Sequence, residues 1–542
     1  MPLVSTLVNT TNSVNFKRII DLYTQIILPR LQRNKGALVF LGAATALTLV
    51  LFRLYQRISK PPAHLRHLPY CNLFACLKYY IGDGFVENYS KEVILPTVQK
   101  NAVFARFTAE GWVVDIADPI AAKQMLLKTD AFPKSDTTMG EPGTLIQRFL
   151  GGPNIVFLNG ADWKRHRKIA NPAFHRAFPV KLFGRLTQTM FSTIEELGEK
   201  INVMDLFTRL TLDVIGTAGF GFNFNALTDN NNEWVRGYNN IKEGMVKPFF
   251  ILFPTFDTTL RTWFPSRRQA HKDLDDFLAM MEKIIENKRC VIREQKENNS
   301  LEDNEKDLLT LMIESEMNDG DGQVLSNEEL KSNLCIFFLA GHDTTAFALS
   351  CALYELAMNP DIQDKARQEI IDILGDDPLD VLPTVEQTKQ MPYLNTIIKE
   401  TLRLHDPLLT TTSRKATEDC ELGGNFIPKG TLVSVDIYSL HRNPKVWKDP
   451  LRFDPDRFAP GGEAERQPGS GMAWVPFSNG GRQCIGMNFS LVQQRVVLAM
   501  LLRKYTFHIP RDCIHTNGIQ SRGIAFGIIS IDDLLIEFKR RY

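Results

Sequence analysis

The first long stretch of one character is uncharged: Gly36 to Phe52 (GALVFLGAATALTLVLF), 17 residues. As a helix it would span about 26 Å at ~1.5 Å per residue, the short end of what crosses a hydrocarbon core of about 30 Å. Arg30, Arg33 and Lys35 precede it and Arg53, Arg57 and Lys60 follow; such side chains reach for the interfaces and lengthen the effective span. A cleaved signal fits poorly, because 35 residues come first and Arg53 stands where small residues should mark the cleavage site. The pattern therefore predicts a membrane anchor over 36–55 rather than a buried core helix. Residues 1–35 form an N-terminal segment, and 56–62 a basic linker ending at the Pro61-Pro62 break. Five Lys/Arg lie in 16–35 and four in 53–72, too even a split to set the orientation.

Residues 63–542 read as the working body. Arg268 to Lys296 has helical periodicity and runs into a polar stretch, Glu294 to Asn304, read as a solvated loop. Ser326 and Glu329 form a capping box, predicting a helix from Asn327 to Met358, before Asn359-Pro360. Its middle, Leu334 to Leu356, is apolar nearly all round and should be buried on every side. Gly341-His342-Asp343-Thr344-Thr345 nevertheless sits inside it. Further helices are predicted over Asp361–Leu374 and Pro392–Leu404, and after Gly486 to about Leu502. Over 410–440, Val, Thr and Ile alternate between the turn pairs Gly423-Gly424 and Lys429-Gly430, the pattern of short hairpins. The fold class is mainly α with small β-sheets; no βαβ alternation supports a parallel α/β core.

Composition removes several classes. With 44% hydrophobic and 23% charged residues the chain is neither disordered nor fibrous. Net charge is +1, so there is no global basic field and no nucleic acid partner is expected. Eight scattered cysteines without a CxxC pair suggest neither a disulfide scaffold nor a zinc site. The 35 Phe promise a large apolar core, an apolar ligand surface, or both.

The most specific chemistry lies at Phe477-Ser-Asn-Gly480-Gly-Arg482-Gln-Cys484-Ile-Gly486. A cysteine just ahead of a long helix meets backbone N–H groups and the positive helix end, which favour thiolate. Gly480, Gly481 and Gly486 would let a flat group approach the backbone, and Arg482 offers a fixed cation for its acid substituents. A thiolate with an open face beside a flat, acidic, apolar partner describes a haem with an axial cysteine.

This segment resembles the haem-binding signature of the cytochrome P-450 family, F-x-x-G-x-R-x-C-x-G, at Phe477, Gly480, Arg482, Cys484 and Gly486. Four further matches follow the family's order. Trp163 and Arg167 form the W-x-x-x-R that binds a haem propionate. Ala340 to Thr345 matches the oxygen-activation motif, including Gly341. Glu400 and Arg403 form E-x-x-R, and Arg457, in Phe453 to Phe458, completes its network. The resemblance implies the cytochrome P-450 fold, Cys484 as axial ligand of the haem iron, and Asp343 with Thr344 as the catalytic proton relay. It further implies Arg414 as a propionate partner, and a structural role for Glu400, Arg403 and Arg457. Gly341 would leave room for dioxygen. Two departures stand out: Asp406-Pro407 replaces a frequent Pro-Pro, and Gln493 occupies the place of a frequent Glu.

By the same resemblance the chain is a haem-thiolate monooxygenase. It would insert one oxygen atom from dioxygen into an apolar small molecule: a fatty acid, steroid, terpenoid or xenobiotic. Electrons would come from NADPH through a separate flavoprotein reductase docked on the Cys484 side, with a cytochrome b5-type donor as an additional source. Two other readings are a haem-thiolate isomerase or dehydratase without a reductase, and a non-catalytic haem-binding protein. Asp343-Thr344 argues for oxygen activation. The substrate zone would draw on Phe132 to Trp163, Val246 to Phe264 and the central helix, where Phe337, Phe338, Ala340 and Phe347 lie within two turns of Asp343. The organisation resembles membrane-anchored fungal members of the family, single-pass in the endoplasmic reticulum with the body facing the cytosol.

Overall fold

The computed structural model describes residues 35–542 except 73–74, 77–78, 80–83, 109, 136–139, 177–178, 246, 298–305, 319–323 and 524–527. Residues 1–34 of the N-terminal segment and most of the polar loop after 297 therefore lie outside the described residues. The chain divides into two compact units, Met1–Pro62 and Ala63–Tyr542.

In the first unit, helix α1 (Lys35–Ser59) continues past the uncharged run through Arg53 and Arg57, because nothing in the sequence stops it before Pro61-Pro62. Phe40, Leu47, Leu49, Val50, Leu51, Phe52 and Tyr55 are exposed on it.

The principal helices of the second unit are α2 (Pro119–Leu127), α3 (Gly160–Arg176), α4 (Val203–Val214) and α5 (Glu233–Met245). They are followed by α6 (Pro265–Glu297), α7 (Asn327–Met358), α8 (Pro392–Leu404) and α9 (Met487–Lys504). A π-helical turn, Ile215–Phe220, extends α4. The capping box at Ser326 and Glu329 is fully made, so α7 starts where the side chains satisfy its first free amides. This helix is long and apolar enough to cross a membrane, yet it is buried in the body as its central element.

The sheets are small. One has the order β1 (Val103–Thr108), β2 (Gly111–Ile116), β7 (Leu432–Val435), β4 (Arg414–Lys415). Its β2–β7 pair is parallel, with Val113 opposite Leu432. Residues 410–440 thus correct the expectation of successive hairpins. Only β5 (Cys420–Leu422) and β6 (Asn425–Ile427) form one, across Gly423-Gly424. β4 and β7 pair with each other and build onto a sheet begun some 300 residues earlier, which seats Arg414 in the interior, 1% exposed. A three-stranded sheet joins β3 (Lys200–Asn202), β9 (Leu535–Arg540) and β8 (Tyr505–His508).

Candidate functional site

The loop before α9 is fixed by its backbone. Cys484 N–H donates to Phe477 O at 2.9 Å and Gln483 N–H to Gly480 O at 3.0 Å. Gly480 has φ +71°, and a Cβ there would lie 2.8 Å from Leu126 O at the end of α2. Its missing side chain therefore serves packing against the chain, a different reason from the close approach of a flat group expected from the sequence. At Gly486 a Cβ would meet only the Phe174 ring at 3.9 Å and Cys484 Sγ at 4.0 Å, ordinary contacts. Cys484 is exposed although it sits within the body. Burial pushes its thiol up; the amides of Gly486 and Met487 and the Arg167 guanidinium pull it down without reversing the shift. The chain's own groups do not favour the thiolate expected from the sequence; a coordinated metal cation would. Among the described residues no cluster of three His, Cys, Asp or Glu could hold a metal, so Cys484 belongs to no multidentate protein site.

Around this loop the interior carries cations without acids. Arg482 stacks on Trp163, 4.0 Å from the ring centroid. It donates to Leu158 O at 2.7 Å and Asn159 Oδ1 at 2.9 Å, and its Nη1 is buried without a partner among the described residues. Arg414 reaches Met125 O and Leu126 O only at 3.4 Å each, and its Nε is likewise unpartnered. Burial, followed by Arg414 and Arg167, pulls Arg482 down to about 10; burial alone brings Arg414 to about 10. Lys134 lies near both. Burial and the charges of Arg414 and Arg482 press its ammonium well down. Arg167 is half-buried, lowered by burial and raised by Cys484. Four desolvated cations and two orphaned guanidinium nitrogens are costly unless an anion completes them. Haem propionates beside an accessible Cys484 sulfur fit this set. Lys134 and Asn159 escape sequence reading. They hold one another through Lys134 N–H to Asn159 Oδ1 at 2.9 Å and Asn159 Nδ2 to Lys134 O at 3.0 Å, and no motif surrounds either.

The expectation that α7 is buried on every side needs one correction. Ala340 is exposed and Gly341 and Thr344 are partly so, while Phe337, Phe338 and Phe347 are buried. Spacing i, i+1, i+4 makes one face. Of the four residues considered for a substrate pocket, Ala340 alone opens; Phe337 packs on Phe174 and Phe338 on Phe224, Tyr238 and Phe277. A Cβ at Gly341 would stand 2.9 Å from Ile215 Cδ1, so the packing of Ile215 against α7 is a further reason for glycine there. Thr344 Oγ1 donates to Ala340 O at 2.7 Å, which leaves its lone pairs free to accept. Asp343 is buried, with Lys242 Nζ at 3.0 Å and His342 Nε2 at 3.2 Å. Burial pushes its carboxyl up, but His342 and Lys242 together hold it well below the usual range. Thr345 Oγ1 lies 3.0 Å from Ser490 Oγ on α9, and Phe174, the ring a Cβ at Gly486 would meet, packs on Phe337. These contacts set the open face of α7 beside the Cys484 loop.

Glu400 and Arg403 pair at 2.7 and 2.8 Å, both fully buried. Arg403 also donates to His441 O and Pro450 O. Arg457 Nε lies 3.3 Å from Glu400 Oε1 and its Nη1 bonds Glu463, a fourth member that the sequence did not suggest. Burial raises the Glu400 carboxyl despite both guanidiniums. At the two departures, Asp406 is fully buried and burial pushes it well up, while Gln493 buries both amide atoms without a partner among the described residues.

The cytochrome P450 family model matches residues 101–530. Cytochrome P450 4F8 of Homo sapiens is 29% identical over 406 residues, covering 72% of this chain and 75% of the relative. Cytochrome P450 3A12 of Canis lupus familiaris is 32% identical over 418 residues, covering 73% and 76%. A crystal structure of the cytochrome P450DA heme domain superposes with a TM-score of 0.71 at 23% identity, over 88% of this chain and 98% of that one, a likeness of fold. The family model spans most of the chain and the relatives are covered over more than two thirds of it, so the chain belongs to the cytochrome P450 family of monooxygenase oxidoreductases.

Proposed function

We propose that the enzyme hydroxylates an apolar small molecule, with Cys484 as the axial ligand of a haem. The observation that carries this reading is the accessible Cys484 sulfur set among four desolvated, acid-free cations and beside the open face of α7. When bound, haem supplies the iron at which dioxygen is activated. The chain's residues do the rest. Arg482, Arg414, Lys134 and Arg167 neutralise the propionates, and Trp163 keeps the Arg482 plane fixed. Thr344 Oγ1 is the accessible hydroxyl of α7 in the oxygen-activation motif. It accepts a hydrogen bond while donating to Ala340 O, or donates once that bond is released. Asp343, held ionised by His342 and Lys242, takes and returns the proton one residue away.

Electrons come from a separate NADPH-dependent flavoprotein. Lys164 lies exposed on α3, the helix of Trp163 and Arg167, where it would draw an acidic partner. The membrane reading is supported by α1 and by a second apolar surface: Phe249, Ile251, Phe253 and Trp263 are 42, 40, 52 and 69% exposed.

The reduced carbon monoxide complex should show the absorption diagnostic of a thiolate ligand, and Cys484→Ala should abolish it. A band surviving that substitution would assign the iron to another ligand. Thr344→Ala should keep the band and waste most NADPH as peroxide or water, cutting product per NADPH about tenfold; unchanged coupling would remove Thr344 from the relay.

A further inference from the structure

His166 on α3 is fully buried and has no role in the reading above. Both of its ring nitrogens meet α7. Nε2 lies 3.3 Å from Glu329 Oε1, and Asn333 Nδ2 lies 3.0 Å from Nδ1. The neighbours fix where the hydrogens are. Asn333 Oδ1 accepts the Ile155 N–H at 2.9 Å. A backbone amide only donates, so this atom is the oxygen and the other is the NH2. Asn333 therefore donates to His166, and Nδ1 is bare. Nε2 carries the hydrogen and points it at a carboxylate, for Glu329 also accepts the Ser326 N–H at 2.8 Å and pairs with Arg165. Burial raises that carboxyl, but Arg165, the Ser326 amide and His166 bring it down to about 2.

The bonds continue past Ile155. Asn154 Oδ1 accepts the amides of Val156 and Phe157 at 3.1 and 3.3 Å, and Leu158 N–H donates to Asn154 O at 3.1 Å. Residues 154–158 are thus one tight turn. A Cβ at Gly152 would stand 2.7 Å from Oγ of Ser332, the neighbour of Asn333, so the entry to the turn packs directly on α7. At its exit, Leu158 O and Asn159 Oδ1 both accept from Arg482 Nη2. Trp163, one helical turn before His166, stacks on the same guanidinium. The path closes on itself. α3 reaches Arg482 once through Trp163 and again through His166, Asn333 and the turn. Held on its face and at Nη2, Arg482 keeps Nη1 free for a ligand.

We propose that His166 and Asn333 are positioning residues for the haem, which hold Arg482 through the 154–158 turn in the orientation that leaves Nη1 for a propionate. Neither bonds Arg482; both act through Leu158 and Asn159. A mobile arginine would lose its rotamer freedom on binding, and the closed ring of contacts removes that loss beforehand. What Arg482 binds rests on the haem reading; the ring of contacts does not.

The test is transfer of haem from the full-length holoenzyme to an excess of an acceptor apoprotein, in a double-mutant cycle with Arg482. His166→Leu removes both ring bonds and should speed haem loss about fivefold, the weight of one buried hydrogen bond. His166→Asn puts an acceptor oxygen where Nδ1 stands and should return the rate close to that of the wild type. In an Arg482→Gln background, His166→Leu should change the rate by less than about twofold, because the residue it works through is gone. An equal effect in both backgrounds, or wild-type haem loss in His166→Leu, overturns the proposal. Should His166→Leu not fold, Asn333→Ala leaves the Ile155 amide without its acceptor and enters the same cycle with the same expectations. In parallel, 15N NMR of histidine-labelled holoenzyme in the diamagnetic reduced carbon monoxide state, assigned through His166→Asn, should show Nε2 protonated and Nδ1 bare. A ring protonated at Nδ1 overturns the proposal. A chain that takes up no haem would fail the haem reading, and NMR of that same chain would still decide the bond between His166 and Asn333.

Discussion

Arg414 shows what a single residue reveals when charge is weighed against burial. It is 1% exposed, its Nε has no partner among the described residues, and its nearest charged neighbours are cations. For the protein alone this arrangement is a cost, since an uncompensated buried charge is worth several kcal/mol of destabilisation. For a bound dianion it is an asset. Arg414→Leu should therefore move two stabilities in opposite directions. The haem-stripped protein should gain about 1–3 kcal/mol, read from its denaturation midpoint, while the holoenzyme should lose haem to an acceptor protein about tenfold faster. A structural arginine would lower both. Motifs made this residue scale largely readable: Cys484, Arg482, Trp163 and Arg167 stand in spaced patterns. Lys134, Lys242 and Glu463 do not. Each is a solitary charge in sequence, and only folding brings Lys134 to Arg482, Lys242 to Asp343, and Glu463 to Arg457.

Among elements, helix limits were legible wherever the chain carries its own stop signals. α7 and α8 run between a cap or proline at one end and a proline beyond the other, and both have the expected bounds. Strand partners were not legible, because the β2–β7 register is set by burial of residues some 300 positions apart. Nor was the seating of the aromatic segment after α5. Asp257, the one acid between Gly244 and Lys272, is buried and pins that segment to two other elements. It accepts Leu145 N–H at 2.9 Å, His271 Nε2 is 2.8 Å away, and Arg267 pairs with both of its oxygens. Burial raises its carboxyl, but His271, Arg267 and the Leu145 amide bring it down to about 2 from an ordinary 3.8. A lowered carboxylate adds stability above its unfolded value and loses it as pH falls through the folded one. That contribution is about 2 kcal/mol at pH 7. Asp257→Asn, which sets amide hydrogens against Arg267 and His271, should cost about 3 kcal/mol in urea unfolding at pH 7. The gap to wild type should narrow by about 1 kcal/mol at pH 3. A gap independent of pH would mean the charge of Asp257 is not what holds the segment.

For the whole molecule, the net charge of +1 conceals how the charges are distributed. Acids dominate neither the Cys484 surroundings nor the surface around Phe249, Ile251, Phe253 and Trp263. There Lys247, Arg261, Arg268 and Lys272 are exposed while Asp257 is buried. Apolar rings ringed by cations suit an anionic bilayer surface. Each buried large side chain is worth about 1.5–3 kcal/mol and each cation about 1 kcal/mol near the headgroups. A helix that spanned the bilayer, the proposed role of α1, would anchor far more firmly than such a patch, so the two contributions separate by experiment. The full chain should resist extraction by salt and carbonate and yield only to detergent. A chain lacking residues 1–62 should still sediment with phosphatidylserine vesicles and be released by salt. The same truncation carrying Phe253→Glu and Trp263→Glu should stay in the supernatant while keeping its thiolate band. If the truncated chain never sediments, α1 alone holds the enzyme at the membrane. If the double substitution sediments as before, basic residues elsewhere on the body make the contact.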